Sequence, residues 1–325
     1  MPLVTRLKTS VADLGRLVAG SALGLALAAA LIAAPAKAFA QAAPTPAPAA
    51  PSAVLPATGS GPALWVVKDA DSTLYLFGTI HVLRPTTAWG SAKVDAAFAA
   101  ASDIYFEISN PDDQAAIIPL VQQYGISPQT PLSSLLTAEE IAHLDVAAKA
   151  MGASAAQLDP FRPWMAGLTL SIAPLMKAGY DPASGVEVIL KARAEAGGKP
   201  IHGFETLDEQ IRVLATLPEE AQLEFLRSTL TSFDAASTEL DGLVVAWAAG
   251  DVAAIQALGV DEMKATAPAI YEAMLTRRNV GFADDIQGLL AGSGTAFIAV
   301  GAAHLAGPDS VQAMLETRGV TVEQQ

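Results

Sequence analysis

The chain has 325 residues and no cysteine. That absence excludes disulfides, thiolate metal sites, a cysteine nucleophile and lipid attachment behind a leader. Histidine is scarce too, at four residues, so any repeated histidine pattern is conspicuous. Positive charge is in short supply: 19 Lys and Arg stand against 33 Asp and Glu, a formal charge of −14. An acidic chain of this kind repels nucleic acid and anionic membrane surfaces. Several signatures of known chemistry are also missing. There is no H-E-x-x-H helix, no G-x-S-x-G elbow and no G-x-x-x-x-G-K-[ST] phosphate loop.

What is present begins with a leader. Arg6, Lys8 and Arg16 give a basic start, Leu17 to Ala34 is apolar, and Ala38-Phe39-Ala40 has the small-x-small form of a cleavage site. Residues 1–40 are therefore expected to be a removed signal peptide, and the protein to be exported, periplasmic or secreted. The rival reading is a retained anchor, because the run is just long enough to span a bilayer; the cleavage-like site favours removal, with no stable membrane insertion afterwards. Residues 41–62 are rich in Pro, Ala, Ser and Gly without charge, which predicts a disordered or extended linker. Beyond the leader, Lys and Arg fall from 19 to 15 and Asp and Glu from 33 to 32, so the charge becomes 15 − 32 = −17. Residues 63–325 form one domain, about 260 residues and enough for a large core without disulfides.

Apolar patterning places strands at both ends and helices between. The runs ALWVVKD and STLYLFGTI, separated by Ala-Asp, read as a hairpin. SAKVDAAFAAAS reads as a short helix and Asp103 to Ser109 as an alternating strand. Thr137 and Glu140 make a capping box, and Pro163 to Gly179 is apolar nearly all round, which predicts a buried helix. Pro200 to Phe204 reads as a short buried strand. Helical stretches then cover 207–217, 218–250 and 251–290, TAFIAVG returns to strand, GPDSVQAMLETRG is an amphipathic helix, and VTV is a last strand. The expected fold class is α/β: a mixed sheet from N- and C-terminal strand units with a large helical insert.

The candidate chemistry lies in a local repeat. LYLFGTIHVL (74–83) and AFIAVGAAHLAG (296–307) each run a strand into Gly-x-x-His, giving Gly78/His81 and Gly301/His304. The likeness stops at about ten residues, so it is a local pseudo-repeat. His81, Glu107, Glu205 and His304 all fall at carboxyl ends of predicted strands, where open α/β sheets bind ligands. Imidazole and carboxylate groups suit zinc and transition metals, and the glycines permit close backbone approach. Each residue also has an ordinary reading. A histidine at a strand end is commonly a hydrogen-bonded structural residue, and Glu107 needs a partner if buried. Glu205 sits before the N-cap Thr206, with Glu209 completing a capping box. Arg278 and Asn279 read as a helix C-terminus, His143 as solvent-facing, and His202 as packing or support.

Those motifs, with GYDPASGVEVILKARAEAGGKPIHGFETLDEQ, VVAWAAGD and YEAMLTRRNVGFADDI, resemble the TraB/GumN family, which is related to the Tiki proteins of animals. The resemblance covers roughly Leu64 to Val322. It implies paired Gly-x-x-His motifs in an α/β domain and, as in Tiki-like members, metal-dependent peptidase activity, with Glu107, Glu205, Arg278 and Asn279 at matching positions. The expectation is an exported metal-dependent hydrolase of a peptide or small-molecule substrate. His81, His304 and Glu205 are its metal ligands, Glu107 the general base, Arg278 the oxyanion stabiliser and Asn279 a substrate contact. The two carboxylates are exchangeable, and the metal is Zn, Mn or Co. Two alternatives stand beside it: a binding protein that sequesters a peptide or small ligand in the same cleft, and an interaction module whose histidines are structural.

Overall fold

The protein is described by a computed structural model covering residues 54–325. The leader and the first part of the linker lie outside the described residues. The strands are β1 (Leu55–Pro56), β2 (Leu64–Lys68), β3 (Ser72–Thr79), β4 (Ala88–Gly90), β5 (Asp103–Ile108), β6 (Ile201–Glu205), β7 (Gly294–Gly301) and β8 (Val322–Gln324). The end of the linker runs extended as β1, parallel to β4.

The expected hairpin is β2–β3, paired from Leu64↔Phe77 to Lys68↔Thr73. Its turn is held by the Asp69 carboxylate, whose Oδ1 accepts the N–H groups of Asp71 and Ser72, the local cap that Asp offers a turn. The main sheet has the order β6-β5-β7-β3-β2-β8. β6, β5, β7 and β3 are mutually parallel, while β2 runs antiparallel to both β3 and β8. The C-terminal strand β7 thus sits between two N-terminal ones, in register with β3 from Ser72↔Gly294 to Thr79↔Gly301. Central parallel strands are covered on both faces, and the run from Ala296 to Val300 is buried throughout. On one face Phe77, Ile104 and Phe297 meet the helical insert. On the other, Leu74, Leu76 and Ile298 pack with Phe282, Ile286 and Leu315.

The helices that build these layers are α1 (Ala92–Ala100), α2 (Gln114–Tyr124), α3 (Ala138–Ala150), α4 (Pro163–Lys177), α5 (Val186–Ala196), α6 (Leu207–Ala215), α7 (Glu219–Ser232), α8 (Ala236–Ala249), α9 (Arg277–Leu290) and α10 (Val311–Thr317). Local chemistry sets their ends. Thr137 and Glu140 cap α3 reciprocally, as do Thr206 and Glu209 at α6. Helix α4 starts with Pro163 at a position that needs no N–H, and eleven of its fifteen residues are buried. The fold is α/β, a mixed sheet with a mostly helical insert between its strand units. No helix among the described residues is long and apolar enough to cross a membrane.

Three local expectations need correction, and one helical stretch carries a feature that was not expected. The strand around Pro200 is an edge strand with half-buried side chains, not a buried one; its apolar residues cover one flank of the sheet. The last strand is Val322–Gln324, two residues later than VTV suggested. The stretch after Asp251 includes two π-helical turns, Gln256–Val260 and Glu272–Thr276, a widened geometry that residue patterning does not reveal and that recurs at functional sites. Finally, Arg278 and Asn279 do not end a helix. They lie buried in the first turn of α9, which the second π turn feeds directly.

Candidate functional site

The local repeat finds its explanation in the sheet. β3 and β7 are neighbours, so both Gly-x-x-His turns emerge side by side at one end of the sheet. β5 brings Glu107 to the same end from the other side of β7. His81, Glu107 and His304 are all buried, and all three lie over Gly301. A Cβ there would stand 3.2 Å from Glu107 Oε1, 3.3 Å from His81 Nε2 and 3.5 Å from His304 Cδ2. Gly78 permits a different approach, since its Cβ would lie 3.0 Å from the Ala302 backbone. The three side chains line a cavity of about 40 Å³, room for roughly two or three waters. Its far wall is apolar, with Leu243 of α8, Ile255 beside the first π turn and Met274 within the second.

Arg278 locks this cluster. Its Nε donates to Glu205 Oε1 at 2.8 Å, and Nη2 donates to Glu205 Oε2 at 2.7 Å and Glu107 Oε2 at 2.6 Å. Nη1 donates to Met274 O at 3.2 Å and to His304 Nε2 at 3.1 Å. A guanidinium has five N–H donors, and all five are used. The side chain therefore has no donor to spare for a substrate oxyanion. Gln210 of α6 braces both carboxylates through its Nε2, at 2.9 Å from Glu107 and 3.2 Å from Glu205. Burial alone would raise the pKa of Glu107. The positive charge of Arg278, the two imidazoles and the Gly301 N–H, 2.7 Å from Oε1, outweigh it and hold the carboxyl far below the usual range. Burial works against the charge on Arg278, but Glu107 and Glu205 restore it and raise its pKa.

The two histidines differ in state. Asn279 Nδ2 donates to the Asp309 carbonyl at 2.7 Å, so its Oδ1 is the end that faces His304 Nδ1 at 2.5 Å. Nδ1 must then carry the proton, and Nε2 presents a lone pair. Burial and the Arg278 charge push the His304 pKa down to about 3, against the opposing pull of Glu107; the ring is neutral at ordinary pH. His81 is backed instead by Glu187 of α5, whose Oε1 lies 2.6 Å from Nδ1, somewhat out of line with the ring N–H. The Thr79 hydroxyl donates to the same oxygen. Burial would lower the His81 pKa, but Glu187 prevails and raises it.

The structure thus brings His81, Glu107 and His304 together at the cavity, with Arg278 among them. Glu205 stands behind Arg278, both oxygens taken, and is not part of the cavity wall. Asn279 has both ends of its amide committed and positions His304. His143 is exposed. His202 lies on the edge strand away from the cavity, 3.0 Å from Asp103 and stacked on Tyr105. Glu187 and Gln210 were not singled out from sequence, although both fall within the family-like stretch from Gly179 to Gln210.

Among the described residues no three His, Asp or Glu side chains form a ready metal shell. Three donors nevertheless suit a divalent ion in kind and aim. His304 is neutral, with an Nε2 lone pair that Arg278 Nη1 now occupies. His81 has its other nitrogen backed by a carboxylate, the usual support of a metal-binding imidazole. Glu107 stays ionised, and its Oε1 is 3.6 Å from His304 Nε2, close to the roughly 3.3–3.5 Å between two ligands of one tetrahedral ion. This set exchanges the two carboxylates, as the sequence allowed: Glu107 is the better ligand and the poorer base.

Comparison with known proteins agrees with the motifs. The chain is 23% identical over 281 residues to an uncharacterized protein of Treponema pallidum (strain Nichols), covering 78% of this chain and 80% of that one. It is 23% identical over 260 residues to the uncharacterized protein YbaP of Escherichia coli (strain K12), covering 78% and 92%. YbaP of Shigella flexneri matches to the same extent. No solved structure matches. A profile of the TraB/PrgY/gumN family matches residues 63–324, a span that holds both Gly-x-x-His turns, Glu107 and Arg278, and the chain belongs to that family.

Proposed function

We propose that the protein is a metal-dependent hydrolase of peptide or similar amide substrates, exported from the cell, with its reaction centre over Gly301. The observation that carries the reading is the convergence of His81 Nε2, Glu107 Oε1 and His304 on one point beneath an apolar wall. His81, His304 and Glu107 hold the divalent cation, zinc, manganese or cobalt. When bound it supplies Lewis-acid polarisation of a carbonyl and lowers the pKa of a neighbouring water. The chain's own residues do the rest. Glu187 and Asn279 fix the two rings, so that each presents Nε2 inward. Gln210 and the Gly301 N–H hold Glu107 in one orientation. The apolar wall around Leu243, Ile255 and Met274 favours a substrate that presents an apolar side chain.

The test uses the full chain, repleted with each metal in turn and incubated with an unbiased peptide library. Cleavage is expected from the wild type and is lost in His81→Ala and His304→Ala together with the metal. Glu107→Gln is expected to lose both as well, whereas His143→Ala changes neither. Metal-loaded wild type that cleaves nothing yet retains peptides would replace hydrolysis by sequestration.

A further inference from the structure

The lone pair of His304 is claimed twice. Its Nδ1 carries the proton, so Nε2 has one lone pair, and Arg278 Nη1 donates to it at 3.1 Å. A cation held by His304 needs the same lone pair. Glu107 presents no such conflict: Arg278 and Gln210 bind its Oε2, while Oε1 accepts only the Gly301 N–H and keeps a second lone pair.

We infer that Arg278 is an internal competitor for the cation: guanidinium and metal take turns on His304 Nε2, and Arg278 sets how tightly the metal binds. The inference rests on the cation reading above. The geometry makes the exchange local. The fork to Glu205 uses Nε and Nη2 only, so Nη1 can leave His304 without undoing it. Nη1 keeps a second acceptor, the Met274 carbonyl. That carbonyl belongs to the π turn Glu272–Thr276, which also supplies the apolar wall through Met274 and Leu275. Arg278 therefore links the metal donors to the wall that a substrate would touch. Through His304, Arg278 acts on the cation as a positioning residue.

Calorimetric titration of the full chain with Mn²⁺, Co²⁺ or Zn²⁺ tests this. Arg278→Lys keeps a positive charge for Glu107 and Glu205, but one ammonium cannot reproduce five directed donors. Losing a charge-assisted hydrogen bond to the ligand is expected to tighten metal binding roughly 10- to 100-fold. The gain is abolished when His304→Ala is added. Tight binding by Arg278→Lys where the wild type binds weakly supports the exchange. Equal or weaker binding by Arg278→Lys, with one ion on the wild type that His304→Ala removes, overturns the exchange and leaves the cation reading standing. No binding by either protein sinks the cation reading itself. If Arg278→Lys does not fold, side-chain NMR of the wild type decides. Saturating Zn²⁺ is expected to shift the Arg278 Nη1–H signals and leave Nε–H in place; unchanged Nη1–H signals with the ion bound overturn the inference.

Discussion

Gly301→Ala adds one methyl group beside three polar side chains of the candidate centre. The new carbon would meet Glu107 Oε1 at 3.2 Å, His81 Nε2 at 3.3 Å and His304 Cδ2 at 3.5 Å. The first two are tighter than ordinary contact and must give way by a few tenths of an ångström, and they cannot do so freely. Glu107 is held by Arg278 and Gln210, His81 by Glu187 and His304 by Asn279. Overpacking of a rigid interior costs about 1–3 kcal/mol, and two pinned neighbours put this site near ~2–3 kcal/mol. At ~2–4 °C per kcal/mol for a domain of this size, the midpoint falls by about 4–12 °C. Gly288→Ala is the control. It lies exposed within α9, with nothing within 4 Å of the new carbon, so better helix propensity should stabilise by about 0.5–1 kcal/mol. Urea and thermal unfolding of the two variants beside wild type make the measurement. A Gly301→Ala protein as stable as wild type, with unperturbed histidine NMR signals, would refute the crowding argument.

Arg278→Met leaves Glu107 and Glu205 without their counter-ion, and breaking a buried pair in this way costs about 3–5 kcal/mol. The depressed Glu107 pKa contributes stability that is present above about pH 4.5 and lost as pH falls through the folded value. The deficit of Arg278→Met should therefore shrink in acid, as urea midpoints at pH 7 and pH 3.5 would reveal. Glu187→Gln acts with the opposite sign. The raised His81 pKa contributes stability present below about pH 6.5 and lost as pH rises through the folded value, so this variant should be more destabilised at pH 5.5 than at pH 9 by the same assay. His202→Ala removes a half-exposed contact to Asp103; it should cost about 0–1 kcal/mol and leave metal affinity unchanged by calorimetry.

Much of the site was legible where the chain repeats itself. Strand-Gly-x-x-His appears twice, and strand patterning alone carried His81, His304 and Glu107 to carboxyl ends of strands. What sequence did not reveal is that the two strands are neighbours, since adjacency in a sheet is a property of topology. Glu187 was hidden for another reason. It sits in the first turn of a helix among Val186, Ile189 and Leu190, which are buried, and an acidic residue near a helix N-terminus is already explained by the dipole. Only the His81 turn folding back against α5 gives that carboxylate a partner. Gln210 was hidden by the capping box around it. Arg278 was read as a helix end because the π turn before it breaks the 3.6-residue period that patterning relies on. The edge position of β6 escaped because a short apolar run looks alike at the centre and at the flank of a sheet.

The placement of β7 has a consequence for how the chain is made. Synthesis delivers β2, β3, β5 and β6 first, and all four wait for a strand that begins at Gly294. Until it emerges, β3 and β5 each present an unpaired edge along the middle of the sheet, the kind of surface that invites association with other chains. The centre of the sheet thus closes only after residues 294–301 have been made. A product truncated before β7 lacks its middle rather than its margin, and cannot be a shorter version of the same fold. His304 arrives with that closing segment, so the candidate centre is assembled only in a chain read through residue 304.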